Sequence, residues 1–190
     1  MNDPFFFGYG SLVNTATHDF RQIRLARARG WRRAWRHTDL RPVSFLTAVP
    51  DNDCTIDGVI AAVPGADWLA LDEREHAYDR IAASAQIDHD APHPLDIAIY
   101  AIPSDRHRPP SDASPILMSY LECVLQGYLH RFGVEGVTGF VATTDGWEAP
   151  ILDDRAMPRY PRHQVLTAEE RTMVRDVLTD AGARILMSLA

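Results

Sequence analysis

The alternation of apolar and polar residues predicts a chain that is rich in short strands. Runs of aromatic, β-branched or alternating character predict strands at Phe5–Phe7, Trp31–His37, Val43–Val49, Cys54–Val63, Leu95–Ile102 and Val137–Thr144. The turn residues Pro50–Asp53 separate two of these runs, which predicts a hairpin. Gly58, inside the second arm, indicates either a bulge or a place where another backbone or a ligand comes close.

Apolar residues that recur every three or four positions predict helices. A helical segment is expected before Gly30, with Leu25, Ala28 and Trp31 facing the core. Further helices are predicted from the cap Asp67 through Glu75 and Tyr78, from Ser114 and Pro115 to Gly133, and from the capping box Thr167/Glu170 to about Leu178. Strands and helices do not alternate strictly, which predicts an α+β fold with a mixed or mostly antiparallel sheet, open or closed.

The composition is that of one ordinary globular domain, with 190 residues and a formal charge of −7. The N-terminus lacks a basic region, and Phe5–Phe7 is too short for a signal peptide or a membrane span, so we expect a cytoplasmic protein that does not enter membranes. Cys54 and Cys123 are expected to be core thiols. All basic residues are arginine, which excludes Schiff-base and P-loop lysine chemistry.

Arginines recur through residues 21–41 and alternate with Trp31 and Trp35, a pattern that also occurs in nucleic-acid binding. The interpretation we favour is the solvent-exposed side of a helix and a strand, because acidic residues outnumber the arginines over the whole chain. We therefore expect no nucleic-acid partner. His89 and His93 lie four residues apart, but Pro92 and Pro94 disfavour a helix there, so we expect a loop and no metal site.

Two features suggest chemistry. The first is Phe7-Gly8-Tyr9-Gly10-Ser11-Leu12, where glycines after a buried strand let a ligand approach backbone N–H groups. The second is Glu75, which would share an apolar helix face with Leu71 and Tyr78. A desolvated carboxylate has a raised pKa and suits proton transfer near neutral pH. Taken alone, however, this helix favours the other interpretation, a glutamate paired with its neighbours Arg74 and His76.

In order and spacing, the Phe-Gly-Tyr-Gly-Ser-Leu stretch and Leu71-Asp72-Glu73-Arg74-Glu75 resemble the gamma-glutamylcyclotransferase superfamily, including its ChaC-type branch. The resemblance spans residues 5–80. It implies a small mixed β-barrel flanked by helices, in which Tyr9, Gly10, Ser11 and Leu12 hold the gamma-glutamyl group and Glu75 is the acid/base. Tyr78 and Arg80, just after the glutamate, are further candidates for shaping the pocket, with a structural role as the alternative for either one, and Tyr78 is included among the substrate-binding residues.

The implied reaction converts a gamma-glutamyl amine, dipeptide or peptide to 5-oxoproline plus the free amine or amino acid, without a cofactor. A non-catalytic binding module of the same fold is the alternative, and the oligomeric state stays open. Residues 126–162 do not resemble the ChaC-type enzymes, so glutathione is not a firm expectation. We expect one domain over residues 1–190, with 145–190 as a C-terminal extension. Within it, Trp147–Arg162 is predicted to be irregular, either as an ion-paired loop or as a lid over the substrate.

Overall fold

The computed structural model describes residues 3–109 and 111–188. The strands are β1 (Phe5–Gly8), β2 (Arg24–Thr38), β3 (Arg41–Ala62), β4 (Asp79–Ala82), β5 (Ile87–His89), β6 (Ile97–Ala101), β7 (Ile116–Leu117), β8 (Thr144–Asp145), β9 (Ile151–Leu152) and β10 (Ile185–Leu186). The α-helices are α1 (Trp68–Arg74), α2 (Met118–Ala142) and α3 (Ala168–Asp180).

The main sheet has β1 near its centre, in the order β4-β6-β1-β3-β2-β5, with β8 added to β2. β1 pairs antiparallel with β3 and parallel with β6, so the sheet is mixed, and it curls into a half-barrel flanked by helices. This confirms the expected α+β fold. Short strands β7, β9 and β10 form a second, parallel sheet. The expectation of a single domain with residues 145–190 as an extension stays a prediction.

The predicted helical segment before Gly30 is wrong, because residues 24–38 form the single strand β2. Arg27 and Arg29 are exposed and alternate with buried Ala26 and Ala28, which is the period of a strand. Leu25 is 49% exposed and does not face the core. Arginines on an exposed strand face thus imitate the polar side of a helix.

The predicted hairpin at Pro50–Asp53 is also wrong, because residues 41–62 form the single strand β3. The hairpin joins β2 to β3, with Thr38 opposite Arg41. At the predicted turn, residues 51–54 of β3 face only Gly30 of β2, whose φ of 78° permits the local irregularity. The turn residues therefore form a bulge within one long strand.

Helix α2 differs from its prediction at both ends. It begins at Met118, after Ile116–Leu117 have paired as β7, and it continues to Ala142. Gly133 interrupts the helix with φ 69° and ψ −166° but does not end it. The predicted strand 137–144 is therefore wrong, since Val137 and Phe140 are buried one helical turn apart.

The predicted N-terminal caps of α1 and α3 are confirmed, unlike the predicted ends of α2. Asp67 caps α1 by accepting a hydrogen bond from the Ala70 amide at 3.2 Å, as expected. Both halves of the capping box form at α3, between Thr167 and Glu170. One apolar cluster joins the main sheet to α2 and α3. Both cysteines are buried, which confirms them as core thiols.

Candidate active site

A cavity of about 390 Å³ opens where β1 ends. It is lined by the glycine loop after β1, part of β3, the residues after α1, and a stretch of the C-terminal segment: Phe7, Gly8, Tyr9, Gly10, Ser11, Leu12, Arg41, Val43, Ser44, Phe45, Leu46, Arg74, Glu75, His76, Ala77, Tyr78, Tyr100, Leu117, Tyr120, Arg159, Tyr160, Pro161 and Arg162. All six site residues expected from the sequence, at positions 9–12, 75 and 78, border this one space.

Tyr9 holds the loop in place with both its side chain and its backbone. Its hydroxyl donates to the Tyr100 carbonyl at 2.6 Å and accepts from the Ala48 amide at 3.0 Å. Burial raises the pKa of Tyr9 far above its ordinary value, so it stays neutral. Because these strand groups occupy the hydroxyl, it contributes to the cavity wall mainly by fixing the loop.

The loop carbonyl is held from the other side by a buried cation. The guanidinium of Arg33, which has no exposed surface, donates to the Tyr9 carbonyl at 3.1 Å, and the Tyr128 hydroxyl donates to the same oxygen at 2.9 Å. After the loop, Asn14 donates to the Cys123 carbonyl at 2.9 Å. The loop is therefore attached to β2 and to α2.

The amides of Gly10, Ser11 and Leu12 are available to a ligand. Ser11 and Leu12 open a single turn of 3₁₀ helix, Ser11–Val13, so their N–H groups have no partner within that turn. Across residues 3–109 and 111–188, no backbone carbonyl accepts a hydrogen bond from these three amides, although the Ser11 amide interacts with the Tyr120 hydroxyl. Gly10 is also crowded, because a β carbon there would lie 2.7 Å from the Tyr120 hydroxyl.

Glu75 lies one residue beyond α1, which ends at Arg74. The expected helix face through Leu71, Glu75 and Tyr78 is therefore wrong in its geometry, because the chain turns after Arg74. The Glu75 amide still donates the last helical hydrogen bond, to the Leu71 carbonyl at 2.9 Å, and the turn that follows is closed by the Tyr78 amide, which donates to the Glu75 carbonyl at 2.8 Å. It still brings Glu75 and Tyr78 to the cavity wall.

The carboxylate of Glu75 is largely buried, with 18% of its side chain exposed. Burial raises the pKa of Glu75 above its ordinary value, and the guanidinium groups of Arg74 and Arg162 oppose that rise. Arg74 contacts it directly, with 3.1 Å between Nε and Oε1. Both interpretations of this glutamate thus apply, since it is desolvated on a cavity wall and also paired with its neighbour.

Tyr78 and Arg80 have different positions. The Tyr78 hydroxyl donates to the Leu46 carbonyl at 2.9 Å, and burial raises the pKa of Tyr78 well above its ordinary value. Arg80 lies over the Trp68 ring, 4.3 Å from its centroid, and 3.5 Å from Asp72. Arg80 does not border the cavity and is removed from the candidate set.

Sequence reasoning missed Tyr120 and Arg159 on the opposite wall of the cavity, whereas Tyr160 and Arg162 belong to the segment predicted to be either an ion-paired loop or a lid. Tyr120 of α2 and Tyr160 of the C-terminal segment meet edge to face, with 5.0 Å between ring centroids. Arg162 lies against Tyr160, with its guanidinium 5.5 Å from the ring centroid. Of the segment Trp147–Arg162, which the sequence predicts to be irregular, only the last part, Arg159–Arg162, reaches the cavity.

The acidic part of that cluster is structural. Asp154 is buried and accepts hydrogen bonds from the Ser119 amide at 2.8 Å, the Ser119 hydroxyl at 2.6 Å and the Arg159 amide at 2.9 Å. It therefore joins the segment to the first turn of α2, where a carboxylate also interacts favourably with the helix dipole. Asp153 pairs with Arg155, away from the cavity.

The described part of the chain contains neither a cluster of metal ligands nor a membrane-spanning helix. No group of three or more histidine, cysteine, aspartate or glutamate side chains lies together there as metal ligands would. None of the helices in residues 3–109 and 111–188 combines the length and hydropathy needed to cross a bilayer.

The family model for "Gamma-glutamyl cyclotransferase, AIG2-like" matches residues 6–118, which is more than half of the chain and includes both the glycine loop and Glu75. The chain belongs to this family. No curated protein matches it.

Several solved structures share the fold of the chain. A protein described as a gamma-glutamyl cyclotransferase superposes with a TM-score of 0.59 at 12% identity, over 92% of this chain and 99% of its own. An uncharacterised protein from Homo sapiens gives 0.60 at 13% identity, again over 92% and 99%. YkqA from Bacillus subtilis gives 0.58 at 17% identity, over 77% of this chain and 57% of its own.

Proposed function

We propose that this protein is a gamma-glutamylcyclotransferase that converts a gamma-glutamyl compound to 5-oxoproline and a free amine or amino acid. The observation that carries the proposal is the meeting of two sequence-distant features at one cavity: the open amides of Gly10–Leu12 and the buried carboxylate of Glu75. Membership of the family supports the same reaction. A cytoplasmic location stays a prediction.

The reaction is an intramolecular displacement. The α-amine of the gamma-glutamyl group attacks its own γ-carbonyl carbon, and the bond from that carbon to the leaving nitrogen then breaks. Because the two reacting groups belong to one molecule, holding them in the correct orientation can supply about 7–11 kcal/mol of the barrier. No nucleophilic side chain is required.

Glu75 is proposed to transfer the protons. Its carboxylate accepts a proton from the substrate ammonium, which frees the amine lone pair for attack. The substrate nitrogen loses its protons as it becomes the ring nitrogen of 5-oxoproline. Glu75 transfers these protons to the leaving nitrogen, which departs as the free amine. A raised pKa suits both steps, because the group then accepts and donates near neutral pH.

The loop amides are proposed to bind the developing oxyanion or the substrate carboxylate. The amides of Gly10, Ser11 and Leu12 are supported in this role by the fixed loop and by their lack of a backbone acceptor in the described residues. Removal of one such donor costs about 3–4 kcal/mol of transition-state stabilisation in other enzymes. The loop and Glu75 would then contribute comparably.

A substrate panel tests the proposal. Purified protein is incubated with gamma-glutamyl amino acids, gamma-glutamyl amines and glutathione, and released 5-oxoproline is measured by liquid chromatography. Release from at least one compound, above the spontaneous rate, is the expected result. Saturable binding of these compounds with no release from any of them would refute the enzyme and support the non-catalytic binding module.

A further inference from the structure

One side of the cavity is formed by residues outside the stretch that matches the family. The matched residues end at 118, whereas Arg159, Tyr160 and Arg162 border the cavity. The segment is held against α2 by buried Asp154, which accepts the Arg159 amide, and by the contact of Tyr160 with Tyr120. The backbone at Arg159 and the ring of Tyr160 are thus held at the site.

The cavity has an excess of positive charge. It is bordered by Arg41, Arg74, Arg159 and Arg162, against the single carboxylate of Glu75. Arg74 is the one that pairs with Glu75. In the described part of the chain, no carboxylate lies within 4.0 Å of the other three guanidinium groups.

Many arginines elsewhere on the protein pair with a carboxylate. Four arginines of β2 each contact an aspartate, at 3.1, 2.9, 2.9 and 2.8 Å for Arg24, Arg27, Arg29 and Arg32. Those pairs account for the exposed side of the strand. Arg21, Arg36, Arg131 and Arg171 likewise have no carboxylate within 4.0 Å in the described residues, so lack of a partner does not by itself mark a site. What distinguishes the cavity is that Arg41, Arg159 and Arg162 border one space, which indicates a place where the ligand supplies the negative charge.

The charge of the ligand follows from this excess. A gamma-glutamyl amine has one carboxylate and one ammonium, so it is neutral overall and leaves the excess of guanidinium groups uncompensated. A gamma-glutamyl amino acid or peptide has a second carboxylate on its leaving half. That carboxylate can form charge-assisted hydrogen bonds with a guanidinium group.

We infer that Arg159 and Arg162 form a second anion subsite, which binds a carboxylate on the leaving amine. The preferred substrates are then gamma-glutamyl amino acids or peptides, and gamma-glutamyl amines are disfavoured. This inference rests on the proposed function. The C-terminal segment determines specificity, whereas the glycine loop and Glu75 carry the chemistry.

Two ligands that differ in a single group test this inference. Gamma-glutamylalanine and gamma-glutamylethylamide are identical except for the alanine carboxylate. Their dissociation constants are measured by calorimetry on Glu75→Gln protein, so that neither is consumed. We expect gamma-glutamylalanine to bind about tenfold more tightly or better, as one charge-assisted hydrogen bond allows.

Arginine variants assign the preference to the segment. Arg159→Gln and Arg162→Gln are each added to Glu75→Gln. Each is expected to raise the dissociation constant of gamma-glutamylalanine about tenfold and to leave that of gamma-glutamylethylamide nearly unchanged. Arg159 is the cleaner choice, because Arg162 also donates to the Tyr160 hydroxyl at 3.2 Å. Arg175→Gln on α3, whose exposed side chain pairs with Asp176, is the matched control and should change neither constant.

Equal affinity for the two ligands would overturn the inference, and so would a preference that survives both arginine variants. A variant that weakens the binding of both ligands equally would show a general role of that arginine and would also overturn the inference. Because binding is measured without turnover, these results are independent of 5-oxoproline release. Absence of release from wild-type protein would refute the proposed function alone.

Discussion

Gly58→Ala is expected to destabilise the protein and to displace the glycine loop. A β carbon at this position would lie 2.5 Å from the Gly8 carbonyl oxygen and 2.5 Å from Cζ of Phe7. Non-bonded carbon atoms are in favourable contact at about 3.5–4.0 Å, so a gap of about 1 Å has to open. Phe7 is buried and Gly8 is held in the sheet opposite Val59, so neither can move alone.

The cost follows from this overlap. Inserting a methyl group into a well-packed core costs about 1–3 kcal/mol, and the upper end applies because one of the clashing atoms belongs to the backbone. For a chain of this length, about 3 kcal/mol lowers the melting temperature by about 6–12 °C. A displacement of about 1 Å at the loop is expected to lower kcat/KM for 5-oxoproline release by about 100-fold.

Thermal unfolding followed by circular dichroism, together with the release assay, measures both effects. Gly139→Ala is the matched control, since the nearest atom to its β carbon is Asp57 Oδ2 at 3.9 Å. An alanine within α2 should be neutral or stabilising by up to about 1 kcal/mol. Wild-type melting and wild-type kcat/KM in Gly58→Ala would refute the close approach of β3 to the loop.

Two further substitutions test the electrostatics of the site and the attachment of the segment. Arg74→Gln removes the strongest charge that lowers the pKa of Glu75, so the acidic limb of the kcat/KM profile should move to higher pH, whereas Arg80→Gln should leave it in place. A limb at unchanged pH would contradict Glu75 as the base. Asp154→Ala is expected to cost about 1–3 kcal/mol in denaturant unfolding, because it leaves buried donors unpaired. Asp112→Asn, in an exposed pair, should change little, and equal midpoints for the two variants would contradict the anchoring role.

Local signals in the sequence predicted local structure well. The caps at Asp67 and Thr167 involve residues three positions apart, so the sequence contains both partners of each hydrogen bond. Gly58 was also interpreted correctly as a point of close approach, although the sequence could not identify Gly8 as its neighbour. Signals of this kind require no knowledge of distant contacts.

The wrong predictions have a common physical cause, which is that tertiary pairing overrode a local signal. Pro50–Asp53 has turn composition, yet pairing with β2 on both sides keeps β3 continuous through it. A glycine such as Gly133 is typical of a helix end, yet the helix resumes after it because Val137 and Phe140 are buried in the core one turn later. The intrinsic propensity of a residue for helix, strand or turn predicts its secondary structure poorly where contacts with neighbouring elements determine burial.

The candidate site likewise contains residues that the sequence identified and residues that only the tertiary structure brings to the cavity. The glycine loop and Glu75 were identified because each has a recognisable motif, and the structure brings both to one cavity. Arg159 and Arg162 have no such motif. They reach the cavity because Asp154 attaches their segment to α2, a contact between residues 35 positions apart that periodicity does not indicate.

The most direct measurement of the central claim compares Glu75→Gln with wild type for 5-oxoproline release from a gamma-glutamyl compound that the wild-type protein turns over. General acid–base catalysis contributes about 10²–10⁴-fold, so the account predicts a loss of that size in kcat, with ligand affinity changed only a few-fold. Glu73→Gln, an exposed neighbour outside the cavity, is the matched control and should retain full activity. Release by Glu75→Gln at the wild-type rate would contradict the assignment of Glu75 as the acid/base.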